Sequence, residues 1–486
     1  MADITRKPNI LFIMADQFRG DIMSCVGGEA KTPALDQLAR EGVLFRECCT
    51  VSPLCVPARI SMMTGLYPHT TCVWNNVDFV LSPEAQLWTK ILKQDGYSTA
   101  VFGKLHLHTD FGDMIKREYL VHGYGFETVN EVSGPHSTCQ TRTHMSEEWK
   151  EKGIWDLFCQ DMLSRTKEPY ALPSPLSVED YYDTYVGRKA KEYLMGYNNT
   201  KPWFCHVSFP GPHEPWDAPL PYSEMYQCSG MREPLPEVYE SVLPRVKGEY
   251  DNLKQNAKIH CNLEQSRKIQ ANYCGSVSLI DKLIGDIIDT VKKRGEWNNT
   301  VIIFTSDHGE LNGDHGLIHK RTFFRPVLNV PLIVRTPETK NLNNHISDTL
   351  ISNLDVGPTI IDLAGGKIDY EQFGKSFFPI ISDTSIEHRD CIISEYNGEL
   401  MYYDKMWKMV INKSGEPYLL FNVLDDPMEV INLAALPEYK GKTIELKNRL
   451  LEMVVNNSKL TPEIIQIPFI PDEKEFQRCI EPERYG

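Results

Sequence analysis

The sharpest chemical feature of the chain is a cysteine with an arginine four positions on, in Cys55-Val56-Pro57-Ala58-Arg59. The proline suits a first helical turn, so the cysteine sits at the positive end of a helix dipole. Arg59 then lies on the same helical side, where it can hold an anion. The plainer alternative is a buried cysteine beside an exposed arginine. Two acids close apolar runs: Asp16 after residues 9–15 (NILFIMA) and Asp307 after 301–306 (VIIFTS), the second followed by His308. Carboxylates at the ends of two buried strands repel unless a cation lies between them. A hard divalent ion held by carboxylates, one imidazole and a reacting oxygen meets that need. For either acid alone, capping the next helix is the simpler role. Lys104 and His106 follow a third run, 98–102 (STAVF). Two residues apart in extended chain, they point the same way, and a cation beside an imidazole suits an oxyanion and a proton donor. His213 follows 203–209 (WFCHVSF), and Lys320 stands shortly after Asp307. Each of these alone has a surface or loop reading.

The elements that must position these residues alternate. Besides the four runs above, 331–335 reads as a strand, and helices are expected over 180–194, 263–294 and 355–364. Thr32 is expected to cap a helix that Pro33 opens, runs through 34–40 and stops at Gly42. The fold class is therefore α/β, a large mostly parallel sheet flanked by helices, with ligands collecting at the carboxyl ends of the strands. Residues 110–180 and 210–262 read as irregular insertions over one end of the sheet, where substrate selection is often placed. Within them Tyr181, Tyr182, Trp216 and Tyr222 either stack on a sugar or aromatic ring or fill the insertion core. Asp314-His315, in a glycine-bounded loop, reads as structural. From about 370 the pattern changes to strands over 391–396 and 401–411, a turn at 413–416 and a helix over 436–456. The division expected is a catalytic α/β domain over 1–370 and a smaller α+β domain over 371–486. Its tail, 468–486, is a candidate for packing across a neighbouring subunit in a homo-oligomer.

Composition narrows the function. The chain has 486 residues, 51 Lys and Arg against 66 Asp and Glu, and a net charge of −15. A general nucleic-acid binder needs the opposite balance, although a few local cations still make a pocket for a small anion. No apolar run approaches the length of a membrane span, and the first residues lack the pattern of a signal peptide. Thirteen cysteines without framework spacing point to reduced thiols and a cytoplasmic protein. The sequons at Asn198, Asn298, Asn412 and Asn456 are then chance matches.

Taken together, Cys55-x-Pro57-x-Arg59 followed by Thr64-Gly65-Leu66-Tyr67-Pro68 resembles the signature of the type I, formylglycine-dependent sulfatases of the alkaline phosphatase superfamily. The flanking motifs stand in the family's order: Asp16-Gln17, Gly103-Lys104 with His106, His213, Thr305-Ser306-Asp307-His308-Gly309, then Lys320. The resemblance implies an alkaline-phosphatase-like fold and a Cys55 converted by a separate maturation enzyme to formylglycine. A hydroxyl of its hydrate would attack sulfur in line. Asp16, Gln17, Asp307, His308 and position 55 would hold one divalent metal, calcium in most of the family, with manganese an alternative given the His ligand. Arg59 and Lys104 would stabilise the nucleophile. His213 and Lys320 would flank the leaving oxygen, His106 would help expel sulfate, and Asn75 or Asn76 would contact sulfate oxygens. The expected activity is hydrolysis of a small-molecule or saccharide sulfate ester. The pairs Asp16-Gln17 and Asp307-His308 resemble the branch of phosphonate monoester and phosphodiester hydrolases, and choline sulfatase shares the second pair, so that activity is the alternative. An inactive binding relative would have lost some of these groups. In Phe323-Phe324-Arg325-Pro326-Val327 a cation stands where the family commonly has an acid. Arg325 is either an arginine paired with an acid or a contact at the pocket mouth for a second anionic group on the substrate.

Overall fold

The computed structural model describes residues 7–76, 79–165, 171–238, 262–342, 345–459 and 465–467. Its centre is an eight-stranded sheet. In chain order the strands are β1 (Asn9–Ala15), β2 (Val43–Cys49), β3 (Ser98–Gly103), β4 (Thr128–Glu131), β5 (Trp203–Phe209), β6 (Thr300–Ser306), β7 (Leu332–Arg335) and β8 (Ile346–Ser352). They lie side by side in the order β8-β2-β7-β6-β1-β5-β3-β4. All neighbours are parallel except β7, which runs antiparallel to β2 and β6. Every residue of β1, β3, β5, β6 and β7 is buried, as continuous apolar runs require when helices cover both faces.

The strand period divides β1 between two cores. Leu11, Ile13 and Ala15 join the layer that contains the helices Pro33–Glu41, Tyr182–Gly196 and Leu263–Lys293. Ile10, Phe12 and Met14 face the helices Cys55–Thr64, Trp88–Gln94 and Val356–Leu363. Register then sets the level of the chemistry. Ala15 pairs with Phe209 on one side and Ser306 on the other. Asp16, Asp307 and the segment leading to His213 therefore leave the sheet together, at its carboxyl end.

The expected cap of Pro33–Glu41 differs. Thr32 spends its hydroxyl on Asp36 and Ser24, and the first free amides are taken from a distance: Asp281 accepts from Ala34 N at 3.0 Å and Leu35 N at 2.8 Å. Asp281→Ala is expected to lower stability by about 1–2 kcal/mol, the value of a cap, read as a drop in the urea midpoint at unchanged slope.

Residues 110–180, expected to be irregular, contain helices at Glu118–Gly123, His144–Glu151 and Trp155–Arg165. They are short, and the second, which is mostly polar, is held by a capping box between Thr143 and Ser146. Strand β2 also escaped the sequence pattern, because Arg46 and Glu47 interrupt its apolar run. The expected strand over 401–411 is two, Glu399–Tyr403 and Trp407–Ile411, which join Ile392–Tyr396 and Pro417–Asn422 in a four-stranded antiparallel sheet. The helix Lys440–Asn456 covers it with Leu446 and Leu450. The small sheet meets the segment that follows β2, where Glu395 N donates to Val51 O at 2.8 Å. The tail over 468–486 lies outside the described residues. Among the described residues no helix is long and apolar enough to cross a membrane.

Candidate active site

Four groups converge at the strand ends. Asp16, Cys55, Asp307 and His308 are all buried, and their donor atoms lie within 4.8 Å of one another. Ser306 ties the two strands together, donating to Ala15 O at 2.7 Å and accepting from Phe18 N at 2.9 Å. Cys55 opens the helix Cys55–Thr64 and is only 1% exposed. Its Sγ lies 3.1 Å from His308 Nε2 and 3.9 Å from Asp16 Oδ1. The next amide, Val56 N, donates to Asn76 Oδ1 at 3.0 Å. Asn76 thus caps the helix that carries the cysteine, while Asn75 is exposed.

Cations bind the outer oxygens of both acids. Arg59 donates from Nε to Asp307 Oδ2 at 2.7 Å and from Nη2 to Asp16 Oδ2 at 3.1 Å. Its remaining nitrogen donates to Lys104 O at 2.6 Å and Ser208 Oγ at 3.1 Å. Lys104 Nζ lies 2.7 Å from Asp16 Oδ2. Burial alone would raise the carboxyl of Asp307, but the charges of Arg59 and His308 outweigh it and hold the group well below the usual range. Burial likewise opposes a thiolate at Cys55, yet Lys320, His308 and Lys104 drive its pKa well below the ordinary value. His106 adds to the same lowering. The His106 Nδ1 is buried without a partner among the described residues.

A second group lies beside the first. Lys320 Nζ is 2.6 Å from His213 Nε2. An ammonium can only donate, so the imidazole accepts at Nε2 and carries its hydrogen on Nδ1, 2.8 Å from Glu214 O. Lys320 also donates to Gln17 Oε1, and Gln17 Nε2 donates to Glu310 and, at 2.7 Å, to Glu214 Oε2. Burial opposes a charge on Glu214, but the cationic Lys320 and the neighbouring His319 hold it well below the usual carboxylate range. A cavity of about 320 Å³ opens here, lined by His136, Met162, Arg165, Glu214, Trp216 and His319.

The structure thus brings together Asp16, Cys55, Arg59, Lys104, His106, His213, Asp307, His308 and Lys320. Two expectations need correction. Gln17 is not turned toward the Asp16–Asp307 cluster. Its backbone takes a φ of 65°, which carries the side chain over to Lys320, Glu214 and Glu310 and leaves only its N–H on Asp307 Oδ1, at 3.0 Å. Arg325 is not at the pocket mouth. Its guanidinium meets Glu47 at 2.8 and 3.1 Å and Tyr403 Oη at 3.3 Å, beside a separate cavity of about 130 Å³ that also includes Asp21 and Asn329. Tyr181 and Tyr182 are core residues that donate to Asp217, whereas Trp216 lines the cavity. Asp314 is structural, paired with Arg19 at 2.9 Å and Arg232 at 2.6 Å. Glu214, Glu310, His136 and His319 were missed. The one signal in the sequence was the position of Glu310, directly after Asp307-His308-Gly309.

Two carboxylates, an imidazole and position 55 are the donors a hard divalent ion takes, and the residues present fit one. The pattern of the sulfatase family matches residues 8–366. The chain belongs to the sulfatase family. The N-sulphoglucosamine sulphohydrolase C-terminal pattern matches 313–456, spanning the small sheet and its helix. Among relatives, the choline-sulfatase of Rhizobium meliloti is 30% identical, over 89% of this chain and 83% of its own. The multifunctional alkaline phosphatase superfamily protein PehA of Trinickia caryophylli is 27% identical, over 94% and 97%. The crystal structure of the phosphonate monoester hydrolase of Agrobacterium radiobacter superposes with a TM-score of 0.77 at 25% identity, covering 96% of this chain and all of that one. The large, mostly parallel sheet with a small antiparallel one is the architecture these sulfatase and alkaline-phosphatase-like proteins share, as the motifs implied.

Proposed function

We propose that this sulfatase hydrolyses an organic sulfate monoester to an alcohol and inorganic sulfate, with position 55 as the nucleophile in its formylglycine form. The observation that carries the reading is the placement of Cys55 between the Asp16–Asp307–His308 cluster and the Lys320–His213 pair. A nucleophile there has a charged cluster on one side and a proton donor on the other. Asp16, Asp307 and His308 would hold a divalent ion, calcium or, given the imidazole, manganese, which when bound supplies Lewis acidity toward position 55 and the sulfate oxygens. Arg59 fixes both aspartates through one oxygen of each. Lys104 neutralises Asp16, so that a negatively charged ester is not repelled. Lys320 Nζ gives its proton to the departing ester oxygen, and His213 Nε2 holds the ammonium in line for that transfer. His106, against position 55, is placed to take a proton there as sulfate departs. The adjoining cavity takes the alcohol part, a small molecule or a saccharide unit. A separate maturation enzyme acting on Cys55 and a cytoplasmic location belong to the same proposal.

A second reading is favoured by one observation. Sulfate monoesters, phosphodiesters and phosphonate monoesters are all singly charged, and the cations gathered around position 55 (Arg59, Lys104 and Lys320) suit each of them. The test is kcat/KM for one ester of each class with the same leaving group. The sulfate ester is expected to be the best substrate. A phosphonate monoester or phosphodiester with the higher value replaces the first reading with the second.

A further inference from the structure

We propose that Glu310 is a positioning residue for the proton donor of this reaction: it holds Lys320 against His213 by fixing both the backbone before the lysine and the amide that receives its ammonium. The inference rests on the function proposed above and adds a residue that makes no contact with the ester.

Glu310 is fully buried, and both its oxygens are committed. Oε1 accepts from Asn312 N at 3.0 Å and from His319 N at 2.5 Å. Oε2 accepts from Gln17 Nε2. The first set acts on the backbone. His319 and Arg321, the two neighbours of Lys320, have φ of 69° and 70°, a region that side-chain-bearing residues rarely adopt without surrounding contacts to hold them. Arg321 N is tied to Pro53 O at 3.1 Å. His319 is tied by Glu310 at its N–H and by Leu311 N at its carbonyl, at 2.9 Å. The second contact acts on the head group. An amide has a donor end and an acceptor end. Two carboxylates, Glu310 and Glu214, take the donor end of Gln17, so its oxygen must face Lys320. One buried acid thus orders the lysine from its main chain and from its tip.

Glu310→Gln keeps the shape but brings an amide nitrogen against the amide nitrogen of Gln17, or turns its own donor toward the N–H of His319. Either way one of the two ties breaks. The leaving group reports the consequence. A strongly acidic phenol departs without a proton, whereas an alkyl alcohol needs one. The experiment compares full-length wild type, Glu310→Gln, Lys320→Ala and the double variant on an activated aryl sulfate and on an alkyl sulfate. Glu310→Gln is expected to lower kcat about 30- to 100-fold on the alkyl ester and no more than about threefold on the aryl ester. In the Lys320→Ala background it should add nothing, since it acts through that lysine. Aryl activity and a normal melting transition certify the fold. Should Glu310→Gln fail to fold, Glu310→Asp is expected to give the same selective loss, because the shorter arm reaches one tie but not both. Equal losses on the two esters in whichever variant folds, or an additive loss on top of Lys320→Ala, overturn the positioning role. A wild type that releases sulfate from neither ester overturns the proposed function itself, a result separate from any pattern among the variants.

Discussion

Cys55→Ala is expected to reduce sulfate ester hydrolysis by about 10⁴-fold or more while leaving the protein folded. Removal of a nucleophile takes away the covalent route itself, and losses on the order of 10⁴–10⁶ in kcat follow when such a group acts as part of a unit. The fold should tolerate the change, because the sulfur packs against polar groups and the helix is capped independently by Asn76. The measurement is kcat on an activated aryl sulfate beside a thermal melt. Peptide mass spectrometry of the wild type reports the form of position 55, and the thiol mass should be replaced by that of the aldehyde. Full activity in Cys55→Ala would sink the assignment of the nucleophile. Wild-type activity in protein carrying only the thiol would sink the aldehyde and leave the position.

The second large effect is expected from Asp307→Ala. This carboxylate accepts from Arg59 through Oδ2 and from the N–H groups of Gln17 and His308 through Oδ1. Its removal strips one ligand from the proposed cation site, leaves Arg59 with Asp16 as its single acid and frees the turn after β6. Metal binding should be lost and the rate should fall by at least about 10³-fold, because nucleophile activation and charge neutralisation are lost together. Stability should fall as well, by up to about 3–5 kcal/mol, the range for breaking a buried ion pair from one side. Elemental analysis after dialysis, with kcat and a denaturant titration, checks all three. One equivalent of metal retained by the Asp16→Ala, Asp307→Ala double variant would refute the assignment.

Why some of this was legible in the sequence and some was not follows from the physics of particular residues. Asp16, Lys104, His213 and Asp307 could be found because each follows an apolar run whose only stable place is a doubly covered sheet, and such sheets gather ligands at one end. Strand β2 was hidden by Arg46 and Glu47, which tolerate their strand because Asp348 and Arg325 pair with them. The same pairing settled Arg325: no local pattern announces that Glu47, 278 positions earlier, will take its charge. Gln17 shows how far one backbone angle reaches. Adjacent to Asp16 in sequence, it is sent by a left-handed turn to a different set of partners. Glu214 and Glu310 are single carboxylates in loops, and their roles appear only when the His213 and Lys320 segments, 107 residues apart, are in contact.

The depth at which Cys55 lies has a consequence for how the protein is made. At 1% exposure, beneath groups from four strand ends, its side chain is out of reach of any other protein once the chain has closed. His308, whose ring touches the sulfur, is synthesised 253 residues later. At about 5–20 residues per second that interval is roughly 13–50 s. The proposed conversion by a partner enzyme would therefore be a race on the ribosome, between the arrival of that enzyme at the emerging segment and the arrival of β6. In a host that makes the chain quickly or holds little of the enzyme, a fraction of molecules would fold around an unconverted thiol and stay that way. Specific activity would then report the history of expression as much as the chemistry of the site.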